Sequence, residues 1–252
     1  MTPRLAVRGV IKRHEGRVVL GGVDLDVFPG EILGIVGPGG HGKSVLLKHL
    51  PRLIAPDEGQ VLLDGVDLAT MSAFQLARAR ESFGYLFQNY ALFDFMTVGE
   101  NVAFPLRQER RHSDADIAER VRVRLDEVGL LRALDQFPRE LSGGMKKRVG
   151  LARATISDPS IALYDDPSAG LDPVTSSRIF ALIHTMHRKV AGCASVIISH
   201  DLDRMAPIVE RWLYLVEGRV HFTGTTAALR AALAHDVQLA RFFSGSALSE
   251  PR

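Results

Sequence analysis

Cysteine is almost missing from this chain of 252 residues, and Cys193 is the only one. A lone thiol excludes an internal disulfide and a cysteine-based zinc cage, and it suits a reducing compartment. Cys193 is therefore expected to be a small packed thiol. Net charge is nearly missing as well. The 31 Lys and Arg residues stand against 29 Asp and Glu, leaving +2, far from the concentrated positive field that duplex nucleic acid requires. No nucleic-acid partner is expected. Long apolar runs are missing too: stretches such as 161–164 and 196–198 fall far short of the ~20 residues that a membrane-spanning helix needs. The first ten residues carry Arg4 and Arg8 with no apolar stretch behind them, which is not the pattern of a secretory signal. The expectation is a chain that stays in the cytoplasm.

What is present is a core. Hydrophobic residues make up 46% of the chain, and a chain of this size buries roughly 70% or more of its unfolded surface. Short apolar runs bounded by Gly, Pro or Asp alternate with longer helical patterns, which predicts an α/β fold with a largely parallel sheet covered by helices. The buried strands are expected at 31–36, 161–164 and 196–199, each a continuous apolar run rather than a two-residue alternation. Three helices stand out. Ile117, Val121, Leu125 and Val128 share one face between Ser113 and Gly129. Ile179, Leu182, Ile183 and Met186 repeat that pattern behind Asp172 and Pro173, an N-cap followed by a proline at the first helical position. The third helix begins at Lys43.

The first thirty residues and 60–67 read differently. Gly21-Gly22, Pro29-Gly30 and Asp64-Gly65 punctuate short strands there, which predicts antiparallel hairpins and a small β layer. Between Asn89 and Pro159 helical signals dominate. The expected organisation is a single domain over 1–245, with core and β layer from 1–88 and 160–245, an inserted helical subdomain at 89–159 and a polar tail at 246–252.

The chemistry begins where the strand at 32–36 runs into Gly37-Pro38-Gly39-Gly40-His41-Gly42-Lys43-Ser44. This octet has the P-loop spacing: a glycine, four intervening residues, then Gly-Lys-Ser. Its glycines let the backbone curl so that successive N–H groups face a phosphate, and the following helix adds its positive end. Lys43 neutralises the terminal phosphates and Ser44 offers an oxygen to magnesium. A glycine-rich turn with a surface lysine is the plain alternative; the strand before and the helix after make it improbable. A carboxylate near the metal is also required, and Ile161-Ala162-Leu163-Tyr164-Asp165-Asp166 ends a buried strand in two acids. Asp165 is expected to hold magnesium through water. Asp166 occupies the place of the group that polarises attacking water, although an adjacent acid also serves as a helix cap or a turn residue.

Leu141-Ser142-Gly143-Gly144-Met145, with the helical run behind it, resembles the signature of the ABC transporter ATPases. The resemblance covers roughly 5–245 and implies a P-loop NTPase core of the RecA-like kind, with an antiparallel β layer and an inserted helical subdomain. It implies ATP and Mg2+ as ligands, and a head-to-tail homodimer in which Ser142, Gly143 and Gly144 face the nucleotide of the partner copy. Gln88, after Leu86-Phe87, matches the glutamine loop that senses magnesium and connects to the permease. His200 matches the switch histidine, and Ser168-Ala169-Gly170-Leu171-Asp172 matches the loop linking the two sites. His14 stands where relatives place an aromatic ring against adenine. Asp166 stands where the family has glutamate. The shorter side chain risks a misplacement on the order of 1 Å, worth about 100-fold in rate.

Within the family, 87–94, 101–106, Met145 and 241–245 look most like the Mla/Mkl ATPases of lipid transporters. That resemblance implies integral membrane permease subunits, an MCE-domain protein and a STAS-domain accessory subunit as partners, phospholipid or another hydrophobic substrate as cargo, and a peripheral place on the cytoplasmic face of the inner membrane. The apolar run 90–96 is expected to form part of a groove that accepts a cytoplasmic permease helix, with the core of the helical lobe as the plain alternative for some of its side chains. Two alternatives stand beside this reading: amino acid import, and an ATP-gated switch or assembly subunit with very slow hydrolysis.

Overall fold

The computed structural model describes residues 2–249. A long antiparallel hairpin opens the chain, β1 (Leu5–His14) pairing with β2 (Arg17–Val27). Its turn is Glu15-Gly16, both at positive φ. Gly21-Gly22 marks no turn, contrary to the expectation from its composition. It lies inside β2, where the register jumps between Val10↔Val23 and Ile11↔Gly21, and Gly22 at φ 87° supplies the left-handed residue that such a bulge needs. Pro29-Gly30 also closes no hairpin. It carries the chain from the first sheet into the second, where β3 (Ile32–Val36) begins. Asp64-Gly65 does turn a hairpin, between β4 (Glu58–Leu63) and β5 (Val66–Asp67).

These strands form a four-stranded antiparallel sheet of order β2-β1-β4-β5. The second sheet contains β3, β6 (Phe83–Leu86), β7 (Ile161–Asp165), β8 (Ala194–Ile198), β9 (Arg211–Val216) and β10 (Arg219–Thr225), in the order β10-β9-β3-β8-β7-β6. Its pairs are parallel except β9 with β10. Alternate residues of β3 explain its unbroken apolar sequence. Leu33 and Ile35 pack against the antiparallel sheet and helix α1 (Lys43–His49). Ile32 and Val36 face the other way, into a core shared with α6 (Pro173–Lys189), α8 (Thr226–Leu233) and α9 (Val237–Phe243). A strand buried on both faces cannot alternate with polar residues.

The helical segment carries its own apolar cluster, built by α3 (Val98–Glu109), α4 (Asp114–Glu127) and α5 (Gly143–Thr155). The expected face of α4 is the buried one: Ile117, Val121, Leu125 and Val128 are all at most 5% exposed, and Ser113 caps the helix through Asp116 N–H. Asp172 caps α6 through Val174 and Thr175, with Pro173 in the first turn. Helix α2 (Ala73–Arg80), opened by a capping box of Ser72 and Gln75, and the short α7 (Leu202–Met205) complete the fold. Ser246 and Leu248, expected in a polar tail, are buried, with Leu248 packed into the same core as Phe243. Positions 250–252 of that tail lie outside the described residues. Cys193 is buried as expected.

Candidate functional site

The parallel strands β3, β7 and β8 end on one edge, and the loops leaving them enclose a cleft of about 360 Å³. Gly39, Gly40, Gly42, Lys43, Ser44, Gln88, Asp165, Asp166 and His200 line it, so most of the residues singled out by sequence meet at one place. The loop after β3 can take only glycine at two points. Gly37, at φ 147°, lies so close to β9 that a Cβ would sit 2.0 Å from the Leu215 carbonyl, and a Cβ on Gly42, at φ 95°, would sit 2.8 Å from that of Val19. A Cβ on Gly39 or Gly40 would meet nothing within 4 Å, which leaves their backbone open to the cleft. Gly42 caps α1 without a side chain, so the first amides of that helix are left for an anion.

Lys43 folds back over this loop, its ammonium donating to the carbonyls of Gly37 and Pro38 at 2.7 Å each. Burial pulls its pKa below the usual lysine value, and the charges of Asp166 and Asp165 oppose that pull. Ser44 Oγ donates to Asp165 Oδ1 at 2.7 Å, joining the P-loop helix to the end of β7. Asp165 is 3% exposed, and burial raises its pKa despite that hydrogen bond. A buried carboxylate held at this cost, hydrogen-bonded to a hydroxyl in a cleft that Gln88 also lines, offers the hard oxygen donors that magnesium takes. Asp165, Ser44 and Gln88 are the residues that would hold it. When bound, the ion neutralises charge on the terminal phosphates.

Asp166 turns away from β7 with φ 48°. Its N–H donates to the Ile198 carbonyl at 2.9 Å, and Ser199 Oγ reaches its Oδ1 at 3.5 Å. Ser199 in turn lies 3.2 Å from Ser168 Oγ, so the loop after β7 and the loop after β8 are fastened beside His200.

Other expected binding residues are elsewhere. His14 ends β1, paired with Arg17, exposed and not among the residues that line the cleft. The nearer wall is Val19 of β2, because the hairpin crosses over the P-loop further along than its turn. No spacing rule in the sequence singles out that valine. His41 belongs to the octet, but its Nδ1 accepts a hydrogen bond from Glu217 N at 2.9 Å; it ties the loop to the β9–β10 turn. Ser142 caps α5 through Met145 N–H, and both Ser142 and Gly143 are exposed. With Gly144 they lie outside the cleft of their own chain.

The profile of the ABC transporter family matches residues 20–169. The chain belongs to that family. It is an ATP-binding cassette, and among curated relatives it is 33% identical over 241 residues to the intermembrane phospholipid transport system ATP-binding protein MlaF of Haemophilus influenzae, spanning 96% of this chain and 90% of that protein. It is 40% identical over 199 residues to the probable ribonucleotide transport ATP-binding protein mkl of Mycobacterium leprae, and 41% over 198 residues to the methionine import ATP-binding protein MetN of Carboxydothermus hydrogenoformans. Each alignment spans 79% of this cassette, but only 57% and 58% of those two longer relatives. A solved dimer of the cassette MJ0796, in a post-hydrolysis state with ADP and Pi, superposes with a TM-score of 0.81 at 31% identity, covering 88% of this chain and 98% of that one.

No helix among the described residues is long and apolar enough to cross a membrane. A second concavity, of about 330 Å³, is walled by Tyr85, Phe87, Phe93, Phe104 and Arg153. Phe93 is half-buried and Phe95 is 75% exposed at its edge.

Proposed function

We propose that this cassette hydrolyses ATP with Mg2+ as half of a head-to-tail homodimer, seated on integral membrane permease subunits at the cytoplasmic face of the inner membrane. The cargo is phospholipid or another hydrophobic molecule moved across the cell envelope, with an MCE-domain protein and a STAS-domain subunit as further partners. One observation carries the dimer: the cleft holds a phosphate cradle, the Ser44–Asp165 pair suited to a metal and a second acid, yet Ser142 and Gly143 are exposed outside it. A helix cap with open amides is suited to a phosphate, and the phosphate within reach of this one is a second copy's. The dimeric state of MJ0796 supports the reading.

In this scheme, Lys43 and the loop amides grip the phosphates from one side and Ser142 of the second copy from the other. His200 and Asp166 orient the attacking water, and Gln88 joins the metal to the groove beside it. Nucleotide binds the closed pair more tightly than the open one, so closure is a population shift that hydrolysis reverses. Residues 89–159 act as the helical signature subdomain within a domain of 1–245. The groove of Tyr85, Phe87 and Phe93 accepts the permease helix.

The likeness to MlaF over nearly its whole length supports the lipid cargo. That to MetN keeps amino acid import as the second reading. Light scattering of Asp166→Asn with a non-cleavable ATP analogue tests the dimer: the expected mass is that of two copies. A nucleotide-loaded monomer would sink the proposal. Cargo is read from the permease complex in vesicles, where accelerated lipid movement is expected and methionine uptake would replace it.

A further inference from the structure

One side chain in the signature helix is out of keeping with its surroundings. Lys147 sits one turn past the α5 N-terminus and is 0% exposed. A lysine is rarely fully buried without a partner, yet its ammonium meets no carboxylate. It donates to the backbone carbonyl of Gln88 at 3.1 Å and to that of Asp166 at 2.9 Å, and it lies 5.0 Å from the centre of the Tyr90 ring. The first carbonyl belongs to the metal-facing glutamine, the second to the acid that faces water.

The rest of that helix face is built to hold the same loop. Gly150, one turn on, lets α5 approach so closely that a Cβ would meet Leu86 at 2.8 Å. A further turn on, Arg153 donates to the carbonyls of Tyr90 and Ala91 at 2.7 Å each. Those two residues stand at φ 62° and 48°, a conformation that costs non-glycine residues energy and persists only where neighbours enforce it. Residues 147, 150 and 153 therefore pin the segment 88–91 onto α5, and Lys147 alone extends the hold to Asp166. A formal charge placed on two carbonyls makes stronger bonds than neutral donors would.

We propose that Lys147 is a positioning residue for hydrolysis: it sets the distance between the Gln88 loop and the Asp166 turn, and ties both to the helix whose cap is Ser142. Movement of α5 then moves the acid and the metal-sensing loop together. The inference rests on the roles given above to Gln88 and Asp166.

The test is steady-state ATPase kinetics in the complex with its permease. Lys147→Met keeps length and packing but removes the donors. Its kcat is expected to fall roughly ten-fold or more, as a sub-ångström misplacement of reacting groups would cause. Affinity for a non-cleavable ATP analogue and the unfolding temperature stay near those of the parent. Lys147→Gln, whose amide carries two donors, is expected to recover most of the lost kcat. Parental kcat in Lys147→Met overturns the inference, and so does an affinity loss as large as the kcat loss. Should Lys147→Met give no folded complex, Lys147→Gln is set against Lys147→Arg. The longer guanidinium forces the two carbonyls apart, so kcat falls below that of Lys147→Gln at equal affinity; equal kcat overturns the inference. Asp166→Asn separates the two layers. Parental turnover there removes the reading of the site itself, whereas an inactive Asp166→Asn beside a fully active Lys147→Met removes only the role of Lys147.

Discussion

Ser44 Oγ donates a 2.7 Å hydrogen bond to Asp165 Oδ1 across 121 residues of chain. That bond brings the P-loop helix and the end of β7 to one point, and it leaves a carboxylate almost without solvent. Asp165 is therefore a place where function and stability pull in opposite directions.

Asp165→Asn is expected to raise the unfolding temperature of the nucleotide-free chain while lowering turnover roughly 10–100-fold, the range for losing a partner of a metal site. The sign follows from burial. The folded carboxyl holds its proton to a higher pH than the unfolded one. Stability that the parent has below the unfolded pKa is then lost as pH rises through the folded value. Calorimetry across that window compares the two proteins: the gap should narrow in acid, and a gap independent of pH would count against the buried charge.

Asp166→Glu is expected to raise kcat in the permease complex. The backbone at Asp166 is fixed by its bond to Ile198, so the chain cannot shift to offset a short side chain. One methylene returns reach on the order of 1 Å, and such a distance is worth up to about 100-fold. A rate that does not rise would mean that aspartate here is already correctly placed.

Gly42→Ala is expected to abolish nucleotide binding in equilibrium titration. The position sits at φ 95° and faces the Val19 carbonyl, and left-handed strain alone costs about 1–3 kcal/mol. Retention of parental affinity would show that the loop can rearrange.

His14→Ala is expected to leave ATP affinity within about two-fold of the parent, since it is exposed and does not line the cleft, and such a surface side chain carries less than ~0.5 kcal/mol. Val19→Asp, on the cleft wall, is expected to weaken binding. The reverse ranking would restore the adenine role to His14.

Much of this was legible beforehand, for physical reasons. The octet 37–44 and the strand ending in Asp165 and Asp166 announce themselves because phosphate binding demands glycines, a lysine and an acid at set intervals. Ser113 and Asp172 could be read as caps because capping is local. What escaped depends on approach between distant segments. Gly21-Gly22 looks like a turn in composition and becomes a bulge only because β1 lies beside it. Val19 is one apolar residue among many until the hairpin crosses the P-loop. Lys147 looks like a solvated helix charge; only the packing of α5 against the 88–91 loop makes it a buried clamp. His14 was matched to an adenine-facing position by resemblance alone, and it does not line the cleft, because where the hairpin crosses the P-loop is set by packing.

Cys193 sits at 3% exposure, and burial pushes its thiol pKa up, so it is a poor nucleophile toward alkylating dyes. The chain is thereby almost silent to maleimide chemistry in its native state. A spin label or fluorophore placed through a new cysteine at Ser142 would be close to the only signal, and separations between copies could be followed through the catalytic cycle without first removing any natural residue.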